Sequence, residues 1–232
     1  MGRRIVLVRH GDGPEEDRVA QWCDAAGFVV DSRKPFKGDL LGRPDTDIAA
    51  TVVYGGPYEV YETRRYPFLH EEYRWIEDCL AANIPMLGIC QGAQMIAHHL
   101  GARVGPQDPE FYEFGYYEIS PTGEAHGFLD GPLTVCQAHT HGFDLPEGAV
   151  RLATGENYPN QAFRYGNLAY GVQFHPEVTA AMFRTWQSQN ADSFGRHGVQ
   201  PRHEQDASMA RHDAATAAWF HGFLDRFIGR PT

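Results

Sequence analysis

The sequence has few cysteines and few cationic residues for its length, and each shortage argues against a class of protein. Its 232 residues include four cysteines and no Cys-x-x-Cys pair. A disulfide framework or a cysteine-based zinc site is therefore not expected, and in a reducing compartment such thiols are buried or catalytic. Twenty Lys and Arg against thirty Asp and Glu give a net charge of −10, spread along the chain. Nucleic acid is consequently not an expected partner.

Long hydrophobic runs are also missing. Residues 83–102, which lie in the longest stretch without a charged residue, contain Pro85 together with glycine, glutamine and histidine residues. Such a stretch could not lie in hydrocarbon without unmet polar groups. Residues 1–8 carry two arginines but too short an apolar run for a signal peptide. We therefore expect a single domain over residues 1–232, located in the cytoplasm, with no membrane contact and no second enzyme fused to it.

Short apolar runs alternate with helical patterns in the first hundred residues. The runs, each closed by glycine, proline or charge, predict buried strands at 5–8, 28–30, 49–54 and 84–87. Between them, Pro14 and the acidic residues after it open a predicted helix over 14–26, and apolar spacing over 69–80 predicts another. Alternation of strand and helix predicts an α/β fold of three layers, with a mostly parallel central sheet and flanking helices.

After Gly101 the pattern changes to short strands with turn residues between them. The predicted strands are 111–120, 133–139, 149–154, 161–164 and 168–174. We expect these to add a few antiparallel strands to the sheet or beside it. A polar segment, 195–205, is predicted as a loop, and a stripe formed by Phe220, Leu224, Phe227 and Ile228 predicts a C-terminal helix packed on the sheet.

Cys90 lies between two glycines where a predicted strand runs into a predicted helix. This Gly-x-Cys-x-Gly spacing is the cysteine counterpart of the nucleophile elbow. A sharp turn of this kind brings residues 88 and 92 against adjacent backbone, so a Cβ at either would clash. It also sets the thiol at a helix N-terminus, where the dipole favours a thiolate and the Gln91 N–H points toward a developing oxyanion. A glycine-rich turn with an inert cysteine is the alternative.

His175 and Glu177 form the second feature. Pro176 favours an extended conformation for the residue before it, so the two side chains project to the same side of the chain. Glu177 can then accept a hydrogen bond from one ring nitrogen and leave the other to take a thiol proton. Without a nucleophile elsewhere, His175 would be an ordinary surface histidine at a strand end.

A third feature is the Gly-Gly-Pro sequence at 55–57, directly after a predicted strand. Two glycines at the carboxyl end of a strand let backbone approach a ligand closely. The Gly56 N–H could complete an oxyanion hole with that of Gln91. Taken alone, Gly-Gly-Pro indicates only a turn.

Two other motifs near the N-terminus are typical of other classes of protein. Arg9-His10-Gly11 after a first strand is also how histidine phosphatases begin, but the acidic residues that follow would repel a phosphate. Residues 11–13 begin like a dinucleotide fingerprint, yet Glu16 stands where the third glycine should be. A loop leading into a helix is the better interpretation.

Histidine pairs raise the question of a metal site. His98 and His99 are adjacent on a predicted helix and face different directions, and the His139-x-His141 pair shows no carboxylate or cysteine partner in the sequence. We expect no metal. The other cysteines, Cys23, Cys79 and Cys136, lie in apolar patterns and are predicted to be small core residues.

Together these motifs resemble the class I glutamine amidotransferases, and most closely the amidotransferase domain of GMP synthetases and free-standing relatives. The match consists of Gly-Gly-Pro at 55–57, Gly-Ile-Cys-Gln-Gly-x-Gln at 88–94, Glu-Phe-Gly at 113–115 and Gln-Phe-His-Pro-Glu at 173–177. The resemblance is good over 49–178 and loose toward both ends. It implies a flavodoxin-like three-layer fold.

The resemblance also implies hydrolysis of glutamine to release ammonia, without metal or organic cofactor. It implies Cys90 as nucleophile, His175 as base and acid and Glu177 as the group that orients His175. The backbone N–H groups of Gly56 and Gln91 are implied as oxyanion donors.

For the substrate, the resemblance implies contacts with Gly55, Gln94, Gly115 and Tyr116. One position departs from the family, because His141 stands where relatives commonly carry an acid thought to face the synthetase side. Since this chain has no synthetase domain, ammonia would pass to a separate acceptor subunit. Two alternatives remain open: a γ-glutamyl peptide or conjugate hydrolase that acts alone, and a non-catalytic binding or regulatory subunit on the same fold.

Overall fold

Eleven strands and five α-helices make up the part of the chain that the computed structural model describes, residues 3–13 and 15–230. The strands, β1 to β11 in chain order, are Arg4–Val8, Val29–Arg33, Ile48–Val53, Met86–Ile89, Val104–Pro106, Glu113–Pro121, Leu133–His139, His141–Phe143, Ala149–Gly155, Ala162–Tyr165 and Ala169–Val172. The helices, α1 to α5, are Arg18–Ala26, Leu69–Ala81, Gln91–His99, Ala180–Gln189 and Arg202–Phe227. None of these helices is long and apolar enough to cross a membrane.

Nine strands form one sheet in the order β2-β1-β3-β4-β11-β10-β9-β6-β7. The strands β2, β1, β3, β4 and β11 run parallel to one another. The other four continue the sheet with antiparallel pairing. The predicted α/β architecture, a mostly parallel sheet with a few antiparallel strands, is therefore confirmed. A small second sheet, β5 with β8, was not predicted.

Helices cover both faces of the sheet. Ile5 and Leu7 of β1 pack in a cluster with residues of α1 and α5. Val6 and Val8 point the other way and pack with residues of α2 and α3. Because both faces are buried, β1 is continuously apolar rather than alternating.

The helices differ from the prediction in three ways: two boundaries are shifted, and one helix was not predicted. The first helix begins at Arg18, not Pro14, because Asp17 caps it: its Oδ1 accepts the N–H groups of Val19 and Ala20 at 2.8 and 3.1 Å. Pro14 itself lies outside the described residues. The predicted loop over 195–205 is too long, since α5 already begins at Arg202.

The third difference is α4, a helix that the apolar pattern did not indicate. Only Phe183 and Gln187 of its ten residues are buried, which is too few to make a clear stripe. The C-terminal stripe, in contrast, is confirmed, because Phe220 and Leu224 are fully buried in α5.

Three neighbouring parallel strands end at the same edge of the sheet. Val53 of β3 pairs with Gly88 of β4, and Ile89 of β4 pairs with Val172 of β11. The segments that follow these strands therefore leave the sheet side by side, as at the ligand-binding edge of other open α/β sheets.

Candidate active site

Cys90 is the single residue between β4 and α3, and its backbone has φ 49° and ψ −107°. A positive φ is uncommon for a residue with a side chain and costs about 1–3 kcal/mol, so the surrounding structure must hold it. A Cβ on Gly88 would lie 2.6 Å from backbone atoms of Gly92 and Ala93, and a Cβ on Gly92 would overlap the carbonyl of Val53. The prediction that this turn requires glycine on both sides of the cysteine is confirmed.

His175 and Glu177 follow β11 and face the same side of the chain. Nδ1 of His175 lies 2.8 Å from Oε1 of Glu177, and both side chains are buried. The backbone N–H of His175 donates to the carbonyl of Cys136 on β7 at 2.9 Å, which fixes the backbone here. Because the carboxylate accepts the Nδ1 proton, Nε2 is the nitrogen left for proton transfer.

Cys90 and His175 meet above Gly55. A Cβ built on Gly55 would lie 2.8 Å from Cε1 of His175 and 3.4 Å from Cβ of Cys90. Both residues, together with Glu177, line one cavity. The structure thus brings together the three side chains that the sequence indicated from remote positions.

The electrostatics of this cluster favour a charged imidazole. Burial alone lowers the pKa of His175, because it penalises the cation. The charges of Glu177 and the Cys90 sulfur, with hydrogen bonding to both, outweigh burial and raise the pKa of His175 well above its ordinary value. The cluster therefore stabilises an imidazolium beside the Cys90 sulfur.

Gly56 and Gln91 lie next to each other across the cavity edge. A Cβ on Gly56 would lie 2.8 Å from Oε1 of Gln91, and that oxygen accepts the N–H of Tyr58 at 2.9 Å. Gln91 is the first residue of α3, so its own N–H has no acceptor within the helix. Gln91 directly follows Cys90 in the chain, Gly56 lines the same cavity as Cys90, and their role as oxyanion donors stays a prediction.

A cavity of about 650 Å³ opens over Cys90, a size typical of small-molecule sites. Residues 9–13 form one side of it, and α4 forms another through Met182 and Trp186. The ring of Trp186 stands edge-on to that of His175, with centroids 4.9 Å apart. The cavity has space for a substrate beyond the atoms that react.

The four residues predicted to contact the substrate differ from one another in their surroundings. Gly55 lines the cavity. Gln94 is buried, and its Nε2 bonds the carbonyl of His141 at 2.9 Å and Oε1 of Gln173 at 3.1 Å. Gly115 and Tyr116 do not line this cavity.

Gln200 covers the backbone at Gly115 and Tyr116. Its side-chain amide bonds the N–H and the carbonyl of Tyr116 at 2.8 and 2.7 Å. A Cβ on Gly115 would collide with the same amide. The substrate contact at these two residues therefore stays a prediction from the resemblance alone.

Gln173 is a site residue that the sequence argument missed. Its side chain is fully buried, and its Nε2 lies 3.6 Å from the Sγ of Cys90. The signal was present, because Gln173 is the first residue of the Gln-Phe-His-Pro-Glu motif that also supplies His175 and Glu177.

Arg18 is a second missed residue, and it holds the segment that carries Glu177. Its backbone N–H donates to the Glu177 carbonyl at 2.9 Å, and its Nη1 donates to the carbonyls of Pro176 and Val178. Its Nη2 bonds Asp213 of α5 at 2.6 Å. Nothing in the sequence connects these positions.

The structure argues against the phosphatase alternative. Both ring nitrogens of His10 are engaged, Nδ1 with the carbonyl of Tyr54 at 3.0 Å and Nε2 with Glu72 at 2.9 Å. Arg9 is paired with Asp17 at 2.7 Å and stacks on the Tyr54 ring, so it is not free to bind phosphate.

Two of the histidines considered as metal ligands have other partners. His98 bonds the hydroxyl of Tyr73 at 3.2 Å. His139 does have a carboxylate partner, contrary to the expectation, since its Nε2 lies 2.9 Å from Glu113. Across residues 3–13 and 15–230, no group of three or more His, Cys, Asp or Glu side chains could hold a metal ion.

The other cysteines lie in the core, as predicted. Cys23, Cys79 and Cys136 are all buried. Burial raises the pKa of Cys23 and of Cys79 to about 12 and that of Cys136 well above its ordinary value. These thiols stay protonated and unreactive near neutral pH.

Comparison with known proteins gives the family of the chain. The family model described as glutamine amidotransferase class-I matches residues 29–188. A putative glutamine amidotransferase-like protein of Salmonella typhimurium, YfeJ, is 30% identical over 209 residues, which cover 85% of this chain and 87% of that protein. A glutamine-hydrolysing GMP synthase of Porphyromonas gingivalis is 34% identical over 136 residues, 56% of this chain but only 25% of the synthase.

Solved structures similar to this chain include two glutamine amidotransferases. A glutamine amidotransferase of Thermotoga maritima has a TM-score of 0.88 and 32% identity and covers 98% of this chain and 99% of its own. A glutamine amido transferase of Methylobacillus flagellatus has a TM-score of 0.91 at 21% identity, covering 100% and 96% of the two chains. At that identity the second likeness concerns the fold alone.

Proposed function

The chain belongs to the class I glutamine amidotransferase family, and from that premise we propose that it hydrolyses the γ-carboxamide of glutamine through a cysteinyl thioester and releases ammonia. The observation that supports the proposal most is the convergence of Cys90, His175 and Glu177 at the ends of adjacent strands, with a 2.8 Å bond between the last two. A nucleophile, a base and a group that orients the base are the parts that acyl transfer requires.

The first half of the reaction forms the thioester. The Cys90 thiolate attacks the carboxamide carbon, and the carbonyl oxygen becomes an oxyanion that accepts hydrogen bonds from Gly56 and Gln91. His175 gives its Nε2 proton to the departing nitrogen, the C–N bond breaks, and ammonia leaves. Glu177 keeps its hold on Nδ1 throughout, so the ring neither turns nor changes tautomer.

The second half releases glutamate. Neutral His175 takes a proton from water, and the water oxygen attacks the thioester carbon. The C–S bond breaks, the electron pair returns to sulfur, and the thiolate beside the imidazolium is restored. These steps use side chains and backbone of this chain and water, without a metal or organic cofactor.

We propose that the ammonia passes to a separate synthetase or acceptor subunit. The support comes from relatives named GMP synthase, of which this chain spans about a quarter of the length in the P. gingivalis case. In another relative, a glutamine-hydrolysing GMP synthase subunit of Thermococcus kodakarensis, the match covers 65% of the length. His141, in place of the usual acid, indicates that the acceptor differs from a GMP synthetase.

A second candidate function is hydrolysis of γ-glutamyl peptides or conjugates without a partner. It is favoured by the cavity of about 650 Å³, which extends beyond the triad to residues 9–13 and α4. That volume fits ligands much larger than free glutamine. Turnover of a γ-glutamyl dipeptide by the isolated chain, faster than turnover of glutamine, would support this candidate over the first.

The test is ammonia release from glutamine by the purified chain and by its Cys90→Ala variant. We expect Cys90→Ala to abolish release, and the matched variant Cys79→Ala, which removes a buried thiol on α2, to retain it. Labelling by a glutamine-analogue electrophile should map to Cys90. Hydrolysis unchanged in Cys90→Ala would contradict the proposal, and a chain that neither hydrolyses nor is labelled would be a binding or regulatory subunit.

A further inference from the structure

The amide of Gln173 is in contact with the sulfur that the proposed reaction uses. Its Nε2 lies 3.6 Å from Sγ of Cys90, within the range for an N–H···S hydrogen bond. The Gln173 side chain is fully buried, so no water competes for this contact. His175 approaches the same sulfur and stands only two residues away.

The direction of this amide is set by a chain of hydrogen bonds that begins at the His141 carbonyl. A carbonyl only accepts, so the group of Gln94 that faces it at 2.9 Å must be the NH₂. The same NH₂ donates to Oε1 of Gln173 at 3.1 Å. The other end of the Gln173 amide, its NH₂, is thereby turned to Cys90. Reversing either amide would place two donors or two acceptors face to face.

We propose that Gln173 is a further catalytic residue, which donates a hydrogen bond to the Cys90 thiolate, and that Gln94 is a positioning residue that sets the direction of that donor. The inference rests on the proposed function, because it concerns the nucleophile of that reaction. The donor stabilises sulfur both before it attacks and when the C–S bond of the thioester breaks and the electron pair returns to it.

Gln173 differs from the other groups near the sulfur because it is neutral at every pH. The titratable groups affected by the charge of the sulfur are His175, Cys136 and Tyr112, and Glu177 acts on the first two. A substitution at Gln173 changes none of these. Any change in the ionisation of Cys90 in such a variant therefore reports the lost N–H donor.

The experiment measures the rate of alkylation of Cys90 by iodoacetamide as a function of pH, with the modified residue identified by mass spectrometry. In Gln173→Met, which keeps the length of the side chain but has no donor, the midpoint of the profile should move up by about one to two pH units. The control Gln187→Met removes a buried glutamine of α4 that bonds Gln205 and Asp206 instead, and its midpoint should stay in place.

Gln94→Met tests the positioning role of Gln94. It is also the second test of the proposal if Gln173→Met does not fold. Without its donor the Gln173 amide is free to reverse, so the midpoint should rise by a smaller amount and kcat for glutamine should fall while KM stays constant. A raised KM with an unmoved midpoint would make Gln94 a substrate contact and overturn its positioning role.

The two proposals fail in different ways. If Cys90→Ala abolishes glutamine hydrolysis but the alkylation midpoint is the same in wild type and Gln173→Met, the role of Gln173 is wrong and the proposed function stands. If Cys90→Ala hydrolyses glutamine as well as wild type, the proposed function is itself wrong.

Discussion

The backbone N–H of Arg18 donates to the carbonyl of Glu177 at 2.9 Å, which joins the first residue of α1 to the triad carboxylate residue. The Arg18 guanidinium bonds the carbonyls of the residues on either side, Pro176 and Val178, and reaches Asp213 of α5. One side chain therefore holds the segment after His175 against two helices, and this contact places Glu177 without touching the reacting atoms.

Arg18→Ala should lower the free energy of unfolding by about 2–4 kcal/mol, because it removes several charge-assisted bonds and leaves Asp213 without its partner. It should also lower kcat, since the residues on either side of Glu177 lose the bonds that hold them in place. Urea denaturation and glutamine hydrolysis measure the two effects. Arg18→Lys is the matched variant, because it keeps the charge but not the forked donors, and it should recover part of the stability. If the Arg18→Ala chain is as stable as wild type, the hydrogen bonds of the Arg18 side chain have no structural role.

Glu177→Gln should reduce kcat by about 10²- to 10⁴-fold. The neutral amide lacks the negative charge that stabilises the His175 imidazolium. Steady-state kinetics with glutamine measures this loss. A kcat within a few-fold of wild type would mean that the 2.8 Å bond between His175 and Glu177 is not used in the reaction.

The stability of the chain should depend on pH through His175. Its pKa is raised in the folded state, so the folded chain binds the proton more tightly than the unfolded chain does. The stabilisation is complete below pH of about 6.5, the ordinary value, and is lost as the pH rises through the folded-state pKa.

This dependence is measured as the difference in free energy of unfolding between wild type and His175→Gln over a pH series. The difference should be largest on the acid side of neutrality and should shrink toward alkaline pH. A difference that grew with pH would mean that the neutral ring, not the imidazolium, is the form that the site stabilises.

Gly88→Ala should destabilise the fold by about 3 kcal/mol or more, because the new Cβ would meet rigid backbone and nothing flexible can move aside. The atoms it would meet lie 2.6 Å away, in Gly92 and Ala93. Gly105→Ala is the matched control, since a Cβ there meets nothing within 4 Å. Thermal unfolding compares them, and equal melting temperatures would contradict the packing argument at the elbow.

Sequence reasoning predicted most of the sheet and the convergence of Cys90, His175 and Glu177 because both depend on short-range patterns. β7, for example, matches its prediction at both ends, since alternation and flanking turn residues mark it over 133–139. The sharp turn at Cys90 could be predicted because the need for glycine on both sides of it has a local steric cause. The i, i+2 spacing of His175 and Glu177 predicted that their side chains meet, and they do so at 2.8 Å.

What sequence reasoning missed depends on contacts between distant segments. Arg18 is 160 residues from Val178, and no local pattern connects a helix-start arginine with a carbonyl so far along the chain. Gln94 was expected at the substrate, which stays a prediction, and only the packed structure shows that its NH₂ group bonds the His141 carbonyl and Gln173. The start of α1 was misplaced because Asp17 acts as its cap while paired with Arg9.

The outer side of the cavity comes from a different part of the chain than the groups that break the bond. Met182 and Gln189 of α4 line it, whereas Cys90 and His175 follow the strands of the sheet. Under the proposed function, substitutions along the exposed turns of that helix would therefore change which γ-glutamyl compounds bind while the reacting groups stay the same. In this architecture substrate choice and bond cleavage are able to evolve separately.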